Sequence, residues 1–264
     1  MRWLLDHPIP LLLASFALLW SATRFGTVLR LRHDLQDDAR RGDFDIVLGS
    51  TLTLLGLIVG FSFSMAANRY DQRKNLEEGE ANAIGTAYAR AALLPAADAG
   101  IVRDLLKEYA GLRVRFYSSP DLRRYLNASL DLEERRNLYR ETGRAQERLW
   151  AAVAVAASSA PSPVVALAVA ATNDAINSQG YAQAAAWNRI PGGAWLLLYV
   201  LAIASAGMVG YRLRAMPPRP VLMLIQPGVV AISLFLIADI DCPRGGIIRV
   251  APQNLVAFEE SLRS

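Results

Sequence analysis

The sequence predicts an all-α integral membrane protein: four membrane-spanning helices, with a helical domain outside the bilayer between the second and the third. Three observations carry this expectation. The chain has 264 residues, 53% of them hydrophobic, and the apolar residues are gathered into blocks. Four blocks approach the roughly 20 apolar residues that a bilayer crossing needs. Between the second and third blocks, about 125 residues rich in Ala, Arg, Glu and Leu keep helical spacing, and no alternating strand pattern of any length appears.

The first span is read at about Pro8 to Leu29, "PIPLLLASFALLWSATRFGTVL". Arg24 lies near one end, where a long side chain can reach the interface. A cleaved signal peptide is the competing reading. It is disfavoured because only Arg2 supplies positive charge before the apolar run and no convincing small-x-small cleavage site follows. The second span covers about Ile46 to Ala67. The third, Ala194 to Tyr211, has Trp195 and Tyr211 at its ends as expected interface anchors. The fourth, Val221 to Ile240, contains Gln226-Pro227-Gly228, which should kink it.

Helix periodicity and breakers place the remaining elements. One helix is expected to run on from the second span through Ala92, stopping before Pro95. Others follow at about Ala97 to Tyr117, ended by Ser118-Ser119-Pro120, at Asp131 to Ala157, and at Pro163 to Asn188. The tract Ala151 to Ala171 is mostly alanine and is split by Pro161 and Pro163, so it reads as a buried helix-turn-helix and not as a span. The expected domains are therefore 1–68 (spans one and two), 69–192 (helical, extramembrane), 193–241 (spans three and four) and 242–264 (a C-terminal tail). This order puts both termini on the same side as the helical domain. Positive charge does not orient the chain. Arg30, Arg32, Arg40, Arg41, Arg212, Arg214 and Arg219 on one side nearly balance Arg69, Arg73, Lys74, Arg189, Arg244 and Arg249 on the other.

The second span is the most informative stretch. At about 100° per residue, Ser50, Thr53, Leu57, Phe61, Ser64 and Asn68 fall within an arc of about 80°. This stripe is polar at both ends and apolar at its waist. Beside it, a second stripe of Gly49, Gly56, Gly60 and Ala67 offers small residues for close helix packing in lipid. Two readings stand. The helix can be the inner member of a bundle that hides its polar groups against its own neighbours, which the wheel alone favours. Alternatively, it can line a pore repeated around an axis, with Leu57 and Phe61 as a hydrophobic constriction.

Motifs in and beyond this helix add a family resemblance. Gly60-Phe61, then Arg69-Tyr70, then Asn75-Leu76 resemble the second membrane helix of bestrophins. "EANAIGTAY" (Glu80 to Tyr88) and "DIDCPRGGIIRV" (Asp239 to Val250) are similar to segments of a bacterial bestrophin-like family, and the likeness covers the chain end to end. What it implies is a homopentameric ion channel with four membrane helices per subunit and a cytosolic helical part between the second and third. It also implies a bacterial inner-membrane location with cytoplasmic termini. Bestrophins pass mostly anions, some bacterial members cations, so the resemblance leaves the ion open. It implies a pore lined by the second helix, with a neck of three bulky apolar residues one turn apart. The match puts the last at Phe61 and the one before at Leu57. Thr53, in the first position, departs from the apolar pattern. Vertebrate bestrophins bind calcium through an acidic run after the last helix. Here only Asp239 and Asp241 stand, so calcium regulation is not implied.

Other residue types point away from chemistry. A net charge of +4 with no basic-aromatic motif excludes a nucleic-acid binder as the leading class. Cys242 is the only cysteine, so no intramolecular disulfide can form. His7 and His33 are isolated. No P-loop, H-E-x-x-H, C-x-x-C or G-x-S-x-G occurs, and Ser158, Ser159 and Ser162 lie in no nucleophile context. Neither an enzyme nor a metal or organic cofactor is expected. The expected partners are the bilayer, further copies of the chain and monovalent ions. Asp239 and Asp241 offer too few oxygens for a hard cation and are expected to anchor "RGGIIRV" through Arg244 or Arg249. Arg69 and Arg73, one turn apart, can attract anions or pair with Asp71, Glu77 or Glu78. The alternative to a channel is a non-conducting membrane scaffold or sensor whose helical domain binds a partner.

Overall fold

A computed structural model describes residues 5, 7–32, 38–118, 128–213, 220–243 and 246–262. Of the residues singled out above, Arg2, His33, Ser119, Pro120, Arg214, Arg219 and Arg244, with the side chains of Arg32 and Arg40, lie outside that description. In chain order the helices are α1 (Pro8–Arg32), α2 (Asp38–Arg90), α3 (Ala96–Tyr117), α4 (Ala128–Ser159), α5 (Pro163–Trp187), α6 (Gly192–Arg212), α7 (Pro220–Asp241) and α8 (Gln253–Ser261). A short 3-10 turn, Ala91–Leu93, follows α2. No strand occurs among the described residues.

α2 runs 53 residues because nothing in it can stop a helix. It contains no proline, and its glycines are single and scattered. The stop comes from Pro95, whose ring forbids helical geometry at the residue before it. Leu94 is accordingly extended, at φ −78° and ψ 162°.

Two compact units divide the chain. The first comprises Met1–Arg69 with Arg189–Ile248. In it α1 packs along α6 and α7. Glycine makes the α1–α6 approach close enough to work. A Cβ at Gly26 would overlap the Gly207 carbonyl oxygen and sit 2.8 Å from the Tyr211 nitrogen; one at Gly210 would overlap the Thr23 carbonyl. The core gathers Leu19, Leu55, Ala202, Ala206 and Ala231. Trp195 is fully buried, 6.4 Å from the Tyr199 ring, so it anchors the interior and not the bilayer interface expected for it. Four stretches are long and apolar enough to cross a membrane: Pro8–Arg30, Arg41–Leu93, Pro163–Arg212 and Met223–Asp241. The third is cut by the non-helical Asn188–Pro191 into α5 and α6.

The second unit comprises Tyr70–Asn188 with Arg249–Ser264. Its core joins Ile84 and Ala87 of α2 to Leu106 and Tyr109 of α3, Leu149 and Val153 of α4, Ala168 and Ala175 of α5, and Leu255 of α8. The alanine tract folds as a helix-turn-helix, α4 into α5. Pro163 opens α5 at a position where its missing N–H is no loss, and the Ser162 hydroxyl accepts from the Val165 nitrogen at 3.1 Å. α8 is a helix in what was expected to be a tail. Its first turn contains no acidic side chain, and Glu77 of α2 supplies one. The buried carboxylate accepts from the backbone nitrogens of Asn254 (3.1 Å) and Leu255 (3.0 Å) and from Asn254 Nδ2 (2.7 Å).

Candidate functional site

Leu55 of α2 belongs to the first unit's core, and Ser62 and Ala66, on the same side of the helix, are buried. On the helix they point about 120–160° away from Ser50. Ser50, Thr53, Leu57, Phe61, Ser64 and Asn68 point the opposite way and are all exposed, Leu57 by 52% and Phe61 by 62%. They are not hidden against neighbours within the subunit. Of the most apolar window of each crossing stretch, 11% is buried for α2, against 33%, 28% and 44% for the others in chain order. α2 is the stretch its own chain covers least.

Hydroxyl polarity on this face is partly internal. Ser50 donates to the Ile46 carbonyl (2.8 Å) and Thr53 to the Gly49 carbonyl (2.9 Å). A hydroxyl bound to its own helix can face an apolar environment at low cost. Thr53 therefore presents its methyl group beside an oxygen already engaged, and departs from the apolar pattern less than its formula suggests. Among the described residues, nothing lies within 4 Å of a Cβ placed on Gly49, Gly56 or Gly60, while Ala67 is half-buried. The close glycine crossing within the subunit belongs to Gly26 and Gly210, which the wheel of α2 could not show.

At the other end of the membrane unit the two aspartates serve the backbone. Asp239 accepts from the Ile247 nitrogen (2.6 Å) and the Ile248 nitrogen (2.8 Å). Gly246 lies so close to Asp239 that a Cβ there would overlap its carbonyl oxygen. Ile247 and Ile248 are thus anchored to Asp239 through their backbone amide groups. Asp241 takes the Ile190 nitrogen at 3.2 Å to each oxygen and meets Arg189 Nε at 3.4 Å. Carboxylates engaged in this way have little left for a cation, and no cluster of metal-binding residues occurs among the described residues. Arg69 donates to the Met65 sulfur at 3.5 Å, and Arg73 is buried.

In the second unit the dominant polar feature is a buried ion pair. Glu80 and Arg113, both with fully buried side chains, are joined through Nε–Oε1 and through Nη2–Oε2 at 3.2 Å. Tyr117 adds its hydroxyl to Glu80 Oε2 at 3.0 Å. Burial works against the Arg113 cation, and the Glu80 carboxylate outweighs it, so its pKa is raised. Burial, with Glu80 adding to it, raises the Tyr109 phenol to about 12 and raises Tyr117 as well. The raised pKa values of Arg113, Tyr109 and Tyr117 keep these three groups in one charge state near neutrality, which suits a structural lock and not proton chemistry. A sequence signal for it exists: Arg73, Glu77 and Glu80 share the spacing of the apolar row Ile84, Ala87 and Ala91, so charged residues sit on the face that must be buried.

What these features lack is a catalytic constellation. What they show is a membrane protein with one weakly covered, ordered helix face. A family model described as Bestrophin-like domain matches residues 12–255. The chain belongs to the bestrophin-like family. No curated protein and no solved structure matches it. Membership in the bestrophin-like family points to an ion channel as the kind of function and away from an enzyme, and the four membrane-competent helices agree with it.

Proposed function

We propose that the protein is an oligomeric, pentameric ion channel in which each subunit contributes the Ser50-to-Asn68 face of α2 to a shared axial pore for small monovalent ions. The observation that carries this reading is the exposure of that face combined with its order, polar at both ends and apolar at Leu57 and Phe61. A ring of Leu57 and Phe61 would form a narrow hydrophobic constriction that gates by dewetting. Gly49, Gly56 and Gly60, open within the subunit, would take the adjacent helix of a neighbouring copy. On this reading the second unit lies in the bacterial cytoplasm.

A non-conducting scaffold or sensor is the competing reading. It draws on apolar side chains exposed on the second unit, among them Trp150, Val155, Val164 and Leu167, which a partner could cover. Purified protein in planar bilayers separates the two. A channel gives ionic currents that grow in Phe61→Ala. A silent, folded protein that is a monomer by native mass spectrometry sinks the channel and favours the scaffold.

A further inference from the structure

The four apolar spans read from the sequence, 8–29, 46–67, 194–211 and 221–240, contain two charged residues, Arg24 and Asp239. Asp239 is buried and engaged by backbone nitrogens, so its charge is met inside the subunit. Arg24 is placed differently. The buried row of α1, Ser15, Leu19, Thr23 and Gly26, belongs to the side that packs on α6 and α7. Arg24 points away from that row, on an exposed face with Leu13, Ala17, Trp20, Phe25 and Val28. α1 cannot turn to hide it, because the Gly26 backbone already lies against Gly207 and Tyr211 of α6.

Arginine keeps its charge in a protein, and a cation on an apolar span is costly unless an anion meets it. Among the described residues no carboxylate does. The Arg24 guanidinium carbon stands over the Trp20 ring, 6.0 Å from its centroid, a cation–π contact that uses none of the N–H donors. The polar end of this unit lies close by. Arg30 donates to the carbonyls of Tyr211 (3.3 Å) and Arg212 (3.0 Å) at the end of α6, and Arg212 pairs with Asp45 at 2.6 Å. Arg24 precedes Arg30 by about 9 Å along the helix at roughly 1.5 Å per residue, a depth from which a long side chain reaches lipid headgroups. We infer that Arg24, steadied by Trp20, is a binding site for the headgroup phosphate of an anionic phospholipid. Charge complementarity names the ligand, since a phosphodiester presents two oxygens to the planar guanidinium fork. The acyl chains then run back along Leu13, Ala17 and Trp20, a hold that a free anion lacks. A headgroup without an ammonium of its own leaves the phosphate charge to Arg24, which sets the preference for anionic over zwitterionic lipid. The site rests on the membrane location and not on the pore reading.

The test is native mass spectrometry of the purified full-length protein, titrated with dioleoyl phosphatidylglycerol and dioleoyl phosphatidylcholine, which share acyl chains and differ in net charge. Wild type should bind phosphatidylglycerol the more tightly. Arg24→Gln, on an exposed face, should melt with wild type and weaken phosphatidylglycerol binding about tenfold, the loss of one charge-assisted pair. Arg24→Lys, which keeps the charge, should recover most of that loss. Excess inorganic phosphate should not displace the lipid. Equal phosphatidylglycerol binding by wild type and Arg24→Gln overturns the inference, as does a wild type that holds both lipids alike or neither. Displacement by inorganic phosphate makes the site one for a soluble anion and overturns it as well. So does an Arg24→Gln protein whose oligomer mass falls while its lipid affinity stays, which places Arg24 at a contact between copies.

Discussion

The buried pair Glu80–Arg113 makes a sharp energetic prediction. Both side chains are fully buried. Removing one partner leaves the other as an uncompensated charge in the core of the second unit, which costs about 3–5 kcal/mol. Glu80→Met also strips the Tyr117 hydroxyl of its acceptor, adding about 1 kcal/mol. Losses of this size lower the folded-to-unfolded ratio by a factor of roughly a hundred to a few tens of thousands. Replacing both partners is different, because the desolvation of two charges disappears along with their attraction, and such replacements are often neutral. Methionine fits both positions by length and adapts to irregular space. Thermal unfolding of the purified protein, followed by tryptophan fluorescence, should therefore show Glu80→Met and Arg113→Met each melting well below wild type. The double variant should recover more than half of the larger loss. Single variants that melt with wild type, or a double variant as damaged as the two singles together, would refute the reasoning.

Three further outcomes follow from the structure. Gly26→Ala and Gly210→Ala drive a Cβ into backbone carbonyls and should destabilise the isolated subunit by about 1–3 kcal/mol, whereas Gly60→Ala, open in the subunit, should leave its melting unchanged and alter assembly instead. Glu77→Ala removes the acceptor for two backbone nitrogens and one amide of α8 and should release residues 253–261, seen as faster hydrogen exchange there with α5 protection retained. Alkaline stability follows from Tyr109, whose folded pKa of about 12 lies above its ordinary 10.0. A raised folded pKa means that stability is intact below pH 10 or so and is lost as pH rises from there toward about 12. Tyrosinate absorbance and unfolding should rise together over that window, and an onset below pH 9 or so would contradict the buried phenol.

Much of this fold was legible in the residues because membrane spans and proline stops are local signals. The long α2 follows from the absence of any breaker between Asp38 and Arg90, and its end from Pro95. The α4–α5 turn follows from Pro161, Ser162 and Pro163. Features that depend on contact across the sequence were not legible. Nothing local marks Gly26 and Gly210 as the crossing glycines, since Gly56 and Gly60 have the same chemistry and open surroundings. The helix α8 is short and weakly patterned, and its decisive cap comes from Glu77, far away in the chain. Trp195 resembled an interface anchor because tryptophan at a span's end usually is one, yet its side chain turns inward. The α2 stripe lies between these cases. Periodicity alone defined its members, but whether they faced the subunit's own core depended on where Leu55, Ser62 and Ala66 packed.

Chemical modification of a conducting channel tests most directly whether this stripe lines a pore. Cys242, the single native cysteine, is 3% exposed and leaves a quiet background for a membrane-impermeant charged thiol reagent. Phe61→Cys places a thiol on the stripe, and Phe63→Cys places one on a different exposed face of the same helix. The expected result is current through Phe61→Cys that falls irreversibly on adding the reagent, with Phe63→Cys unaffected. Equal behaviour of the two variants would mean that the stripe faces lipid or protein and lines no path for ions.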